Sequence, residues 1–187
     1  LDPYQKLDSY TDKGNSFRFT SFVLAMSYFM DKRNDIFFPS HGYTVNILSE
    51  WTPLGLLTDF MRLQGTYTWY GTLNTQTTEA FKARIGHILW FNTNEKIVPS
   101  DRHYFAGGAT SIRSFLSRRL GNPASDDPNL PSNVGDLANY VGWATIVELS
   151  AELRYTFPYY ADLGEFLADK ISRLGVTFFV DAGNAFN

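Results

Sequence analysis

Residues 43–51 read YTVNILSEW. Tyr43, Val45, Ile47 and Trp51 fall at one parity and Thr44, Asn46 and Glu50 at the other, the period of two by which a strand sends successive side chains to opposite faces. One face of this strand is apolar and aromatic, and the other is polar. Its length is about that of a tilted strand crossing a bilayer.

The same two-faced pattern recurs along the chain. Residues 18–30 set Phe22, Leu24, Met26, Tyr28 and Met30 against Phe19, Ser21, Val23, Ala25 and Ser27. Residues 61–69 set Met61, Leu63, Tyr67 and Trp69 against Arg62, Gln64, Thr66 and Thr68. A weaker run at 80–91 places Lys82 and Arg84 opposite Phe81, Ala83, Ile85 and Leu89. At 140–157, Val141, Trp143, Val147, Leu149, Leu153 and Tyr155 face away from Glu148, Ser150, Glu152 and Arg154. Residues 174–181 carry Val176, Phe178 and Val180 on one side, after a short helical LGEFLADKIS. The spacing predicts six antiparallel strands. Between the fourth and fifth, residues 92–139 lose the alternation and are rich in Gly, Pro, Asn, Asp and Ser, as in a linker or a long functional loop.

Composition agrees with an all-β chain. Of 187 residues 17% are aromatic, with 16 Phe and 11 Tyr, and 14 Gly and 8 Pro punctuate the strands. A formal charge of -3 without a basic cluster gives no footprint for nucleic acid. With no cysteine there is neither a disulfide framework nor a thiolate metal site.

Alternation leaves two architectures open. In a water-soluble sandwich the apolar face turns inward, whereas in a transmembrane β-barrel it turns outward to lipid and the polar face lines a wet lumen. Aromatics near strand ends, among them Tyr28, Phe29, Tyr43, Trp51, Trp69, Tyr70, Trp90, Phe91, Tyr155, Phe157, Tyr159 and Tyr160, fit interfacial girdles and favour the barrel.

Few residues invite chemistry. His41, His87 and His103 have no metal-ligand spacing. Ser111 and Ser114 lie near His103, yet no G-x-S-x-G elbow supports a hydrolase. GGATS lacks the G-K-[ST] ending of a phosphate loop, and the run at 8–15 lacks the terminal Glu of a calcium loop. Asp126 and Asp127 read as solubilising loop charges. No catalytic residue, metal ligand or cofactor site is expected. Arg113 stands apart, one cation after the Gly107-Gly108 pair in FAGGATSIRSF. Glu152 and Asp181 share the polar parity of the strands that follow, so the sequence predicts that Arg113 enters the space they face and pairs with one or both.

These landmarks resemble the BamA/TamA superfamily of outer-membrane β-barrel proteins, also called the bacterial surface antigen family. In that family a long extracellular loop folds back into the barrel with a [VI]-R-G-[FY] motif at its tip after a Gly-Gly turn. The matching residues are Gly107, Gly108, Ser111, Ile112, Arg113, Ser114 and Phe115, with Ser114 in the place of the motif glycine. The F-x-D-x-G element matches Phe179, Asp181 and Gly183, and an E-[LF] position matches Glu152 and Leu153. A D-x-x-x-x-F-P-x-x-G turn matches Asp31 or Asp35 with Phe38, Pro39 and Gly42.

The resemblance implies that residues 1–187 are part of a sixteen-stranded barrel, with POTRA domains and the first and last strands outside this chain. It implies no enzyme activity and no cofactor. Its partners would be the lipid bilayer, outer-membrane or secreted polypeptides as substrates, and periplasmic or lipoprotein accessory subunits. The expected place is the bacterial outer membrane. Arg118 or Arg119, followed by Leu120 and Gly121, looks more TamA-like than BamA-like. The rival readings are a two-partner secretion transporter, a soluble aromatic-rich β-sandwich that binds carbohydrate or surface ligands, and a membrane-embedded lipid hydrolase.

Overall fold

The computed structural model describes residues 22–53, 59–91, 102–117, 120, 142–159, 165–172 and 174–186. The expectations for residues 8–15 and 18–21, for Arg118, Arg119, Gly121, Asp126, Asp127, Tyr140, Val141 and Tyr160, and for most of the stretch 92–139 lie outside them.

Among the described residues six strands form one sheet: β1 (Leu24–Asp31), β2 (Gly42–Trp51), β3 (Phe60–Asn74), β4 (Thr77–Trp90), β5 (Thr145–Thr156) and β6 (Gly175–Phe186). They lie in chain order, each antiparallel to the next, and the two outer strands leave the sheet open. Helix α1 (Glu165–Ser172) stands between β5 and β6. The registers put like faces together: Tyr28 opposes Ile47, Trp69 opposes Phe81, Ile85 opposes Val147, and Leu153 opposes Phe178. Opposite them in the pleat, Glu50 meets Arg62, Arg84 meets Glu148, and Glu152 meets Phe179.

Three boundaries differ from the sequence expectation, each for a local reason. β3 and β4 run on into a two-residue turn at Thr75 and Gln76, where Asn74 Oδ1 accepts the Gln76 N–H at 2.9 Å. That polar side-chain closure replaces the glycine signal a tight hairpin usually shows, so the run TLNTQTT hides it. β6 continues past Asp181 to Phe186, because Gly183 and Asn184 keep pairing with Glu148 and Val147. Trp143, expected on the outward face of β5, is not in that strand. It bridges Tyr104 through two 2.9 Å backbone bonds and is half-buried, since the long loop folds back over the sheet and captures the segment that leads into β5.

Between β1 and β2 the chain closes by side-chain bonds. Asn34 Oδ1 accepts the N–H groups of Ser40 and His41, both at 3.0 Å, and Asp35 Oδ1 accepts those of Phe37 at 2.7 Å and Phe38 at 2.8 Å. Pro39 is buried, and Gly42 enters β2 at φ 107°, where a Cβ would overlap the Lys32 carbonyl.

The two faces of the sheet have opposite fates. The apolar face is open: Ile85 is 62% exposed, Phe178 66% and Val180 71%. The other face is covered by residues 102–117, and the buried core lies there, built from Phe60, Ile88, Ile146 and Ala185 of the sheet with Tyr104 and Ala106 of the loop. Large hydrophobics exposed on one side of a sheet, with the core on its polar side, reverse the order of a water-soluble sandwich.

Candidate functional site: the loop lock on the polar face

Gly107 and Gly108 adopt φ of 101° and 108°, the left-handed region open to glycine. The turn they start is knotted by its own backbone: Gly108 N–H donates to the Ile112 carbonyl at 3.2 Å and the Phe115 carbonyl at 3.0 Å, and Ser111 N–H returns to the Gly108 carbonyl at 3.0 Å. Phe115 contributes mainly this backbone bond, since the residue is 45% exposed. The knot holds Ile112 and Arg113 toward the sheet.

Arg113 reaches three strand residues. Its Nε and Nη2 donate to Asp181 Oδ2 at 2.8 Å and Oδ1 at 2.7 Å, the two-pronged match of a guanidinium to a carboxylate, and its own backbone N–H adds a third bond to Asp181 at 3.0 Å. Nη1 donates to Glu152 Oε1 at 2.7 Å, and Nη2 to Ser150 Oγ at 3.0 Å. Ser150 also donates to Asp181, and Arg154 takes the remaining oxygen of Glu152 at 2.6 Å. The guanidinium lies 3.7 Å above the ring of Phe179. Its bonds to Asp181, against an opposing cost of burial, hold its proton well above the ordinary arginine range, so it stays charged. Asp181 is sealed, its side chain 2% exposed.

Gly183 belongs to the same site by what it lacks. A Cβ there would overlap the Val147 carbonyl and lie 3.2 Å from Ile112 Cδ1, so the bare backbone of β6 is the seat of the loop's buried isoleucine. The structure thus brings together Gly107, Gly108, Ile112, Arg113, Glu152, Asp181 and Gly183. It leaves Gly42 three strands away from Glu152, at the start of β2.

A second set of contacts went unnoticed in the sequence. Glu50 binds Arg62 at 2.6 Å and Arg102 of the loop at 3.1 Å. Arg62 lies 4.5 Å over the ring of Tyr104, whose hydroxyl donates to the Leu63 carbonyl at 2.6 Å, and burial pushes that phenol's pKa up. Arg84 bridges Glu148 and Gln64, Ser111 donates to Glu148, and Lys82 donates to the Thr110 carbonyl at 2.7 Å. The tyrosine fits because Gly86 beneath it has no side chain. A glycine inside a strand marks close backbone approach, and that was the signal available. Of the histidines, His41 lies in the β1–β2 turn, His87 bonds Thr145 on the open face, and His103 is buried in the loop.

The arrangement is built for holding. Every acidic group named here faces an arginine or a hydroxyl, and the result is one long loop fastened across β2 to β6. A family model described as the Omp85 superfamily domain matches residues 2–187. No curated protein matches the chain. Among solved structures it is similar to the crystal structure of BamA from Haemophilus ducreyi lacking POTRA domains 1-3, at 22% identity and a TM-score of 0.67, over 89% of this chain and 30% of that one. At that identity the likeness is one of fold. The chain spans about a third of the length of that structure's chain.

Proposed function

The chain belongs to the Omp85 superfamily, and on that footing we propose that it is part of an outer-membrane β-barrel that inserts or exports polypeptides at the bacterial outer membrane. The observation that carries this reading is the inverted sheet. Ile85, Phe178 and Val180 stand open on one face, while the Arg113–Asp181 pair and its neighbours fill the other. Hydrocarbon against the open face makes that distribution favourable over a whole sheet. The remaining strands of the barrel and any periplasmic domains lie outside residues 1–187 in this reading.

Such a barrel does no covalent chemistry. The lock fixes the loop inside the lumen, and a substrate strand pairs with a sheet edge elsewhere in the barrel, by β-augmentation. The assembly role, TamA-like or BamA-like, is the first reading and two-partner secretion the second. The test is reconstitution of the intact protein in vesicles with an unfolded outer-membrane barrel as reporter. Faster reporter folding than in empty vesicles supports the assembly role. Export of a secreted chain without faster folding favours the transporter, and release of the protein from membranes by salt alone excludes both.

A further inference from the structure

Glu79 breaks the pattern of the open face. Its parity on β4 is that of Phe81 and Ile85, and it opposes Gly71 on β3 and Leu153 on β5. It lies two residues from the start of β4, close to the turn at Thr75 and Gln76. Among the described residues its carboxylate has no hydrogen bond and no cationic partner. The Cβ position of Gly71 lies 2.8 Å from Trp69 Cζ2 and 3.1 Å from Glu79 Oε1, so the indole and the carboxylate flank the same point. Beside them a groove of about 630 Å³ runs along the open face, with Ala151 as its low floor and Phe81, Leu153 and Phe178 as its walls.

We propose that this groove binds a phospholipid with a primary ammonium headgroup. The ammonium would sit on Glu79 beside the Trp69 ring, and part of an acyl chain would lie over Ala151. The inference rests on the barrel reading. An unpaired carboxylate facing lipid is costly, and an N–H-bearing cation at headgroup depth offsets that cost by charge-assisted hydrogen bonds and by attraction to the indole face. The position near the strand end gives the right depth, and the apolar groove next to the charge matches a molecule with an ionic head and a hydrocarbon tail. A quaternary ammonium has no N–H to donate and would bind less well.

The test uses the intact protein folded into vesicles of phosphatidylethanolamine, phosphatidylcholine and phosphatidylglycerol in equal parts, with identical acyl chains. After gentle extraction, native mass spectrometry counts the lipids retained by class. The wild type should retain phosphatidylethanolamine over phosphatidylcholine by roughly fivefold or more, the scale of one charge-assisted hydrogen bond weakened by water. Glu79→Gln should remove the preference, and Ala151→Phe, which fills the groove, should lower retention of the lipid itself. Equal retention of the three lipids by inserted wild-type protein would overturn the site, as would a preference that survives Glu79→Gln. Carbodiimide coupling of Glu79 to a second polypeptide instead of to lipid would overturn the occupant. Failure to insert into any of the vesicles would overturn the barrel reading, and this site with it.

Discussion

Arg113 holds Asp181 with its side chain and its backbone at once. Removing the side chain leaves a carboxylate that is 2% exposed in the intact site with only Ser150 and one amide as partners. Breaking one partner of such a pair costs about 3 kcal/mol, so Arg113→Ala should lower the urea midpoint of the folded barrel and its resistance to heat on a gel. Arg113→Lys should cost less but still weaken the barrel, because an ammonium cannot make the parallel pair of bonds. The charge swap Arg113→Asp with Asp181→Arg should restore little, since the amide of residue 113 would then face a guanidinium. If Asp181→Asn cost as much in the Arg113→Ala background as in the wild type, the two losses would be additive and the pairing would be refuted as the source of the effect. Gly183→Val tests the lock without touching a charge. It should press on the β5 backbone at Val147 as well as push Ile112 off β6, at an overpacking cost of about 1–3 kcal/mol, and raise the rate of protease nicking in residues 102–117. Arg113 and its carboxylates were legible in the sequence because charge and strand parity are local. The cluster of Glu50, Arg62, Arg102 and Tyr104 was not, since it joins residues far apart in sequence whose types suit any solvated surface.

At the scale of elements, the strands were the most readable. Side-chain direction in a strand depends only on position along it, so β2 appears in the sequence almost as it stands in the fold. β4 was weaker because Ile88 and Gly86 sit at the polar parity, where the loop needs an apolar partner and a gap. The β1–β2 turn carries its own pH dependence. Hydrogen bonds from the Phe38 and then the Phe37 amides hold Asp35 below its ordinary pKa of 3.8. A depressed carboxylate stabilises the fold above the unfolded value, and that contribution is lost as pH falls through the folded one. Hydrogen-exchange protection of the Phe37 and Phe38 amides should therefore persist at neutral pH and fade only below 3.8. In Asp35→Asn it should be weaker at neutral pH and flat across that window. An unchanged acid profile in the variant would assign the effect to another group.

Over the whole molecule, the inverted sheet predicts two populations of surface. Spin labels on cysteines at Ile47, Leu149 and Val176 should report hydrocarbon, and labels at Asn46 and Thr177 should report water. Equal water accessibility for the two sets would remove the barrel. Arg62 and Glu148 share the polar parity but are poor label sites, because the loop covers them and a label there would displace it. Their burial shows where sequence reading ends. The alternation of residues along each strand fixed two chemically distinct faces, the order of strands and a cation set apart among small residues, since each follows from the local geometry of an extended chain. That Glu50 meets both Arg62 and Arg102, that Tyr104 rests on Gly86 and that Ile112 rests on Gly183 were decided by the tertiary fold alone. Those outcomes depend on a loop closing over strands dozens of residues away, and nothing in a short window of sequence records where a loop comes to rest.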